Sequence, residues 1–154
     1  MPMSTIVNKH LDYTYDNGWR YEFWLKSEER IVYKIHGGPM AGRSNYQRCY
    51  VQEVRTDEIY QISWLEETGT VVSIIVDLTK KHITTFMAFS KGHWEYPEEA
   101  HGDKRNPKDL ERWRGLAKVG TQMEKHILPE QATLNKIYEG KGDLEDIDPE
   151  APTL

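Results

Sequence analysis

Apolar and polar residues alternate in short runs through the first two thirds of the chain, the two-residue period of half-buried strands. Runs of this kind cover residues 6–15, 19–26, 31–35, 48–54, 58–66, 71–78 and 83–89. Turn chemistry separates them: Asp16-Asn17-Gly18 follows the first, His36-Gly37-Gly38-Pro39 the third, and Glu67-Thr68-Gly69-Thr70 precedes the sixth. The period then changes. Asn106-Pro107 sets an N-cap residue before a proline at the first helical position, and Asp109 adds a carboxylate to the first turn. Leu110, Trp113, Ala117, Gly120, Met123 and Ile127 fall on one face at helical spacing, which predicts a helix ended by Pro129. Residues 132–138 return as a final strand.

This order predicts an all-β fold, a lipocalin-like (calycin) antiparallel β-barrel with one late α-helix before a final strand. At about eight strands such a barrel encloses a small-ligand cavity. The chain has 154 residues, the size of one domain. The expected division is a barrel domain over residues 1–139 and an acidic, proline-bearing arm over residues 140–154, read as loose.

Composition narrows the partners. Lys and Arg total 20 against 25 Asp and Glu, a formal net charge of -5, without the basic clusters that track phosphates, so no nucleic-acid partner is expected. The most apolar run, residues 71–76, is too short to span a bilayer, and residues 1–10 contain no apolar leader. No membrane partner is expected. Cys49 stands alone, which rules out an intrachain disulfide and suits a reduced, cytoplasmic setting. The six histidines are scattered, with no His-x-His pair and no His-Glu-x-x-His helix, so no metal site is expected.

Strand spacing brings candidate chemistry together. Tyr13 and Tyr15, two apart, leave the same face of their strand. Tyr60, Ile62, Trp64 and Glu66 share a face of theirs. Either Glu66 ends an apolar inner row, where burial would favour the neutral, proton-donating acid, or it opens a surface turn beside Glu67. Alternation puts the Glu67 side chain on the opposite face from Glu66. Arg43 follows the glycine-rich stretch 37–42, either as a solvated loop residue or as a guanidinium carried to a cavity mouth, where its fork of donors suits a carboxylate.

Several blocks, in one order, resemble the microbial phenolic acid decarboxylases. They are Tyr13-Thr14-Tyr15-Asp16-Asn17-Gly18-Trp19 with Tyr21-Glu22, then Tyr33-Lys34-Ile35-His36-Gly37-Gly38 with Ala41-Gly42-Arg43. The third runs from Ile59-Tyr60-Gln61-Ile62-Ser63-Trp64 through Leu65-Glu66-Glu67-Thr68-Gly69-Thr70. The resemblance is strong over residues 11–89 and weak in residues 90–128. It implies a homodimeric lipocalin-like barrel, without a cofactor, that removes CO2 from 4-hydroxycinnamic acids such as p-coumaric, ferulic and caffeic acid to give 4-vinylphenols. It implies catalytic roles for Tyr13, Tyr15, Arg43 and Glu66, and a substrate pocket formed by Asn17, Trp19, Ile35, Trp64 and Ile74. Two positions depart from the pattern: Ser44 stands where many members have Trp, and Glu67 where many have Pro. Ser44 is thereby expected to widen the pocket. A non-catalytic carrier of small aromatic acids, or a related alkene hydratase or isomerase, are the alternative functions.

Overall fold

The computed structural model describes residues 5–154. The leader expectation for residues 1–10 lies in part outside them. Nine strands form one antiparallel sheet: β1 (Lys9–Tyr15), β2 (Arg20–Ser27), β3 (Arg30–Ile35), β4 (Ser44–Arg48), β5 (Tyr50–Arg55), β6 (Ile59–Leu65), β7 (Val71–Asp77), β8 (His82–Ser90) and β9 (Lys125–Glu139). Each strand pairs with its neighbour in sequence except β4 and β5. β9 inserts between β1 and β8, and the two ends of the order, β4 and β5, are consecutive in the chain. With Cys49 as the only residue between those edges, the sheet rolls into a nearly closed barrel whose seam lies between β4 and the β5–β6 hairpin. Among the described residues no helix is long and apolar enough to cross a membrane.

Period-two alternation fills the barrel. Tyr60, Ile62 and Trp64 of β6 point inward, as do Val72, Ile74 and Val76 of β7 and Ile83, Thr85, Met87 and Phe89 of β8. Leu11, Tyr13 and Tyr15 do the same on β1, with Tyr13 opposite Tyr21 of β2. The β1–β9 register shifts between Asp12 and Tyr13, and the extra residue, Asn135, donates to Asp12 Oδ1 (3.2 Å) and Thr14 Oγ1 (2.9 Å). A bulge beside the inward tyrosines re-aims the strand there.

Strand β4 was hidden from the pattern because its inward residues are polar: Asn45 and Gln47 are both fully buried. The late helix is real but short. α2 (Pro107–Leu116) is capped by Asn106, whose Oδ1 accepts from the Lys108 N–H, and it buries Trp113 and Leu116. It ends there because Gly115 and Gly120, the latter at φ +73°, give little helical support, and Met123 beyond it is 92 % exposed. Strand β9 begins at Lys125 rather than at 132 and runs through Pro129 opposite Phe86. Proline is tolerated there because residues 125–130 pair with β8 alone, which leaves their other edge open.

Between β8 and α2 lie α1 (Lys91–Glu95) and a single 3₁₀ turn (Pro97–Ala100), which with α2 cap one end of the barrel. The arm is not loose. Leu144 and Ile147 pack on Trp24, Val32 and Tyr46 on the outer face of β2–β4. The Arg105 guanidinium donates to the Glu145 carbonyl (2.7 Å) and Lys104 Nζ to that of Thr153 (2.7 Å). Covered on both faces, β2 and β3 read as near-continuous buried runs.

Candidate active site

A cavity opens inside the barrel at the capped end, about 30 Å³ in volume and nearly filled by its own side chains. Its tyrosine wall comes from β1, β2 and β3: Tyr13, Tyr15, Tyr21 and Tyr33. The Tyr13 and Tyr15 rings meet edge to face at 5.5 Å, and Tyr15 shares a hydrogen bond with Thr85 (3.1 Å between hydroxyl oxygens). Burial pushes the Tyr13 phenol well above its usual value, and the neighbouring tyrosines add to this. Burial likewise pushes Tyr15 up to about 12. Both therefore stay protonated near neutral pH and can donate to an anionic oxygen.

Arg43 is fully buried. The β3–β4 loop turns it inward: the Arg43 N–H donates to the Met40 carbonyl (3.1 Å), and Gly42, at φ +91°, occupies the left-handed conformation the turn requires. The guanidinium lies 3.8 Å over the Trp113 ring, donates from Nη1 to the Ala100 carbonyl (2.9 Å), and splits Nη2 between Glu66 Oε1 and Glu67 Oε1, each at 3.1 Å. Its Nε is buried without a partner. Burial works against this charge, but Tyr33, Glu66 and Glu67 outweigh it and hold Arg43 above its usual value.

Glu66 lies just past the end of β6 and faces the cavity, but its setting is not the apolar one the strand pattern suggested. Its Oε2 accepts from the Tyr33 hydroxyl (2.6 Å) and the Trp64 indole (2.9 Å), while Oε1 faces Arg43. Alternation stops at Leu65, because a tight turn follows: the Glu66 N–H donates to the Thr70 carbonyl, and the Gly69 N–H to that of Glu66, each at 2.8 Å. Glu67 is consequently not an outward control for Glu66. It is buried in the barrel seam, accepting from Asn45 (2.8 Å), Gln47 (2.7 Å) and Arg43, with Lys104 Nζ at 3.1 Å. These polar bonds join β4 to the end of β6 where the sheet has no backbone ladder.

The structure thus brings Tyr13, Tyr15, Arg43 and Glu66 to one cavity, with Ile35 and Trp64 on its walls. Asn17, Trp19 and Ile74 are not among its lining residues. The Asn17 side chain accepts from the Trp19 N–H in the β1–β2 turn, the Trp19 ring lies over Gly38, and Ile74 is fully buried core. Ser44 faces outward, in a groove with Val32, Lys34, Asp103 and Leu144, so it does not widen the cavity. Pattern reasoning missed Tyr21, Tyr33 and His93. The first two carried a signal: the β1–β2 register sets Tyr21 opposite Tyr13, and Tyr33 shares the inward face of β3 with Ile31 and Ile35. His93 carried none. Among the described residues no group of three or more His, Cys, Asp or Glu side chains is arranged to hold a metal ion.

Inside a small antiparallel barrel, one cavity brings a buried Arg–Glu pair together with four tyrosines. The phenolic acid decarboxylase family model matches residues 3–153, including the segment 90–128 where the resemblance was weak. Phenolic acid decarboxylase PadC of Bacillus subtilis is 32 % identical over 151 residues, covering 97 % of this chain and 92 % of that protein. A probable phenolic acid decarboxylase of Vibrio cholerae is 33 % identical over 98 residues, 63 % of this chain and 56 % of that one. A solved structure of a putative beta-lactamase from Burkholderia vietnamiensis shares the fold at TM-score 0.56 and 17 % identity, covering 84 % of this chain and 92 % of that one. The chain belongs to the phenolic acid decarboxylase family, and its chemistry is that of a carboxy-lyase acting on phenolic acids.

Proposed function

We propose that this cavity converts 4-hydroxycinnamic acids (p-coumaric, ferulic and caffeic) to 4-vinylphenols and CO2 through a quinone methide, with Glu66 as the proton donor. The observation that carries this is the Glu66 carboxyl, held between Tyr33, Trp64 and Arg43 in the cavity that Tyr13 and Tyr15 also line. Direct loss of CO2 from a vinyl carbon would leave an unstabilised carbanion. Instead, the proton from Glu66 forms a bond to the alkene carbon bearing the carboxylate as the para-hydroxyl gives its proton to solvent, which yields the quinone methide. The carbon–carboxylate bond then breaks. Its electron pair becomes the vinyl double bond, the ring returns to a phenolate, and that oxygen is reprotonated. One proton is consumed per carboxylate, and Glu66 recovers its own from solvent. Tyr13 and Tyr15 donate to the phenolic oxygen and Arg43 to the carboxylate, while the apolar remainder of the wall excludes water. Met40 and Met87, both in the wall, are the adaptable side chains that repack to admit the ring.

The direct test mixes the protein with p-coumarate and follows 4-vinylphenol by its absorbance. Substrate loss without that product would overturn the proposal. The para-hydroxyl supplies the electron sink, so p-coumarate is expected to react while 4-methoxycinnamate releases no CO2. Comparable release from both would exclude the quinone methide.

Two lesser outcomes follow from the geometry. Ser44→Trp is expected to change kcat/KM for p-coumarate and ferulate in the same proportion, and to loosen the arm instead, read as faster proteolysis after Glu139. A selective loss on ferulate would place position 44 at the ring. The protein is also expected to be a homodimer through the outer face of β6–β9, where Leu65, Val71, Ala88 and Ile127 align across four strands. Light scattering should then report twice the 18.1 kDa of the chain, and Leu65→Lys should halve that mass.

A further inference from the structure

His93 sits in the cavity wall with one ring nitrogen unused. It is held there by its own turn: the His93 N–H donates to Ser90 Oγ (3.2 Å), and Gly92 packs so closely on Leu116 that an added Cβ would come within 2.2 Å of its carbonyl oxygen. The ring meets Phe89 edge to face at 5.0 Å. Nδ1 lies 2.9 Å from Thr68 Oγ1 and 2.7 Å from Thr70 Oγ1, and both threonines are fully buried.

The Thr70 hydroxyl decides the tautomer. Thr70 Oγ1 already accepts from the Ser90 N–H (3.1 Å), so its own hydroxyl hydrogen is directed to Nδ1, the nearer of the two contacts. If Nδ1 carried the ring proton, that buried hydroxyl hydrogen would be left without an acceptor. Nδ1 therefore accepts and Nε2 carries the hydrogen. That Nε2–H is buried and has no partner. Of the three unpartnered buried side-chain nitrogens among the described residues, two, Arg43 Nε and His93 Nε2, belong to residues lining this one cavity. Two orphan donors, one of them the guanidinium's own Nε–H, call for an anionic oxygen.

We infer that His93 is a substrate-binding residue whose Nε2–H donates to the carboxylate of the phenolic acid, alongside Arg43. Burial, and then the Arg43 charge, hold His93 well below its usual range, so it is a neutral donor at working pH. This rests on the proposed orientation, with the carboxylate at the Arg43 end and the phenol at the tyrosines. His93 lies in the segment where the family resemblance is weak.

Two ligands that cannot turn over separate the ends of the substrate: cinnamate keeps the carboxylate without the hydroxyl, and 4-ethylphenol the reverse. His93→Met is expected to weaken cinnamate about 10- to 100-fold, the worth of a hydrogen bond to a charged group. It should leave 4-ethylphenol unchanged, and His93→Gln, whose amide reaches the Nε2 position, should restore most of the loss. Equal weakening of both ligands, loss confined to 4-ethylphenol, or no loss would overturn the inference. In the wild-type protein, which does not depend on the variant folding, the His93 Nε2 proton should move downfield in the NMR spectrum with cinnamate and stay put with 4-ethylphenol. The same shift with both, or with neither, overturns it. Failure of the wild type to make 4-vinylphenol is a separate result that counts against the decarboxylation proposal itself.

Discussion

Glu66→Gln is expected to lower kcat on p-coumarate by about 10²–10⁴-fold, the usual cost of losing a general acid. The amide keeps the shape of the side chain and can still accept from Tyr33 and Trp64, but it has no proton to give to carbon. KM should change less than kcat, because the lost interaction belongs to the transition state. The fold should survive, since Arg43 keeps its bonds to Glu67 and Ala100 and its seat on Trp113. Steady-state kinetics and a thermal melt on the same preparation check both halves. A near wild-type kcat would remove Glu66 from the mechanism. Glu67→Gln, which strand alternation would nominate as the matched control, is unsuitable, because Glu67 is a buried partner of Arg43 and Lys104. An exposed carboxylate such as Glu98 serves instead.

How far the chain could be read depends on what each residue's environment repeats. The inner rows Tyr13–Tyr15 and Tyr60–Ile62–Trp64 follow a period of two, and the barrel faces them as that period requires. The same rule failed at β4, because Asn45 and Gln47 are polar inside; their burial makes sense only once Glu67 is opposite them. It failed again at Glu67, where a turn interrupts the strand and sends two successive carboxylates inward. The helical period overran α2, because Ala117, Gly120 and Met123 keep its spacing after the backbone has left the helix. His93 was illegible for a different reason. Its place depends on Thr68 and Thr70, more than twenty residues earlier, across a five-residue helix too short to show any period. Arg43 and Glu66 stood out through the family resemblance more than through pattern, since neither lies within a strand.

Lys104→Met is expected to be the most destabilising single change outside the apolar core. Four charges are buried together: Arg43 and Lys104 against Glu66 and Glu67. Lys104 is 3 % exposed, and burial, the largest influence, pulls its ammonium below the usual lysine range even though Glu67 opposes the shift. It also donates to the carbonyls of Tyr46 (3.0 Å) and Thr153 (2.7 Å), so one side chain ties the seam of the barrel to the end of the arm. Removing one partner of a buried ion pair typically costs about 3–5 kcal/mol, because the other charge stays behind unbalanced. For a domain of this size that corresponds to a drop of about 6–20 °C in melting temperature. Glu67→Gln with Lys104→Met removes both charges and leaves the Asn45 and Gln47 amides facing a neutral amide. The double variant is therefore expected to recover a large part of the loss, where additive effects would deepen it. Thermal melts of the two single variants and the double variant complete the cycle. If the double variant is as unstable as the sum of the singles, Glu67 and Lys104 act independently, and charge balance is not what closes the seam.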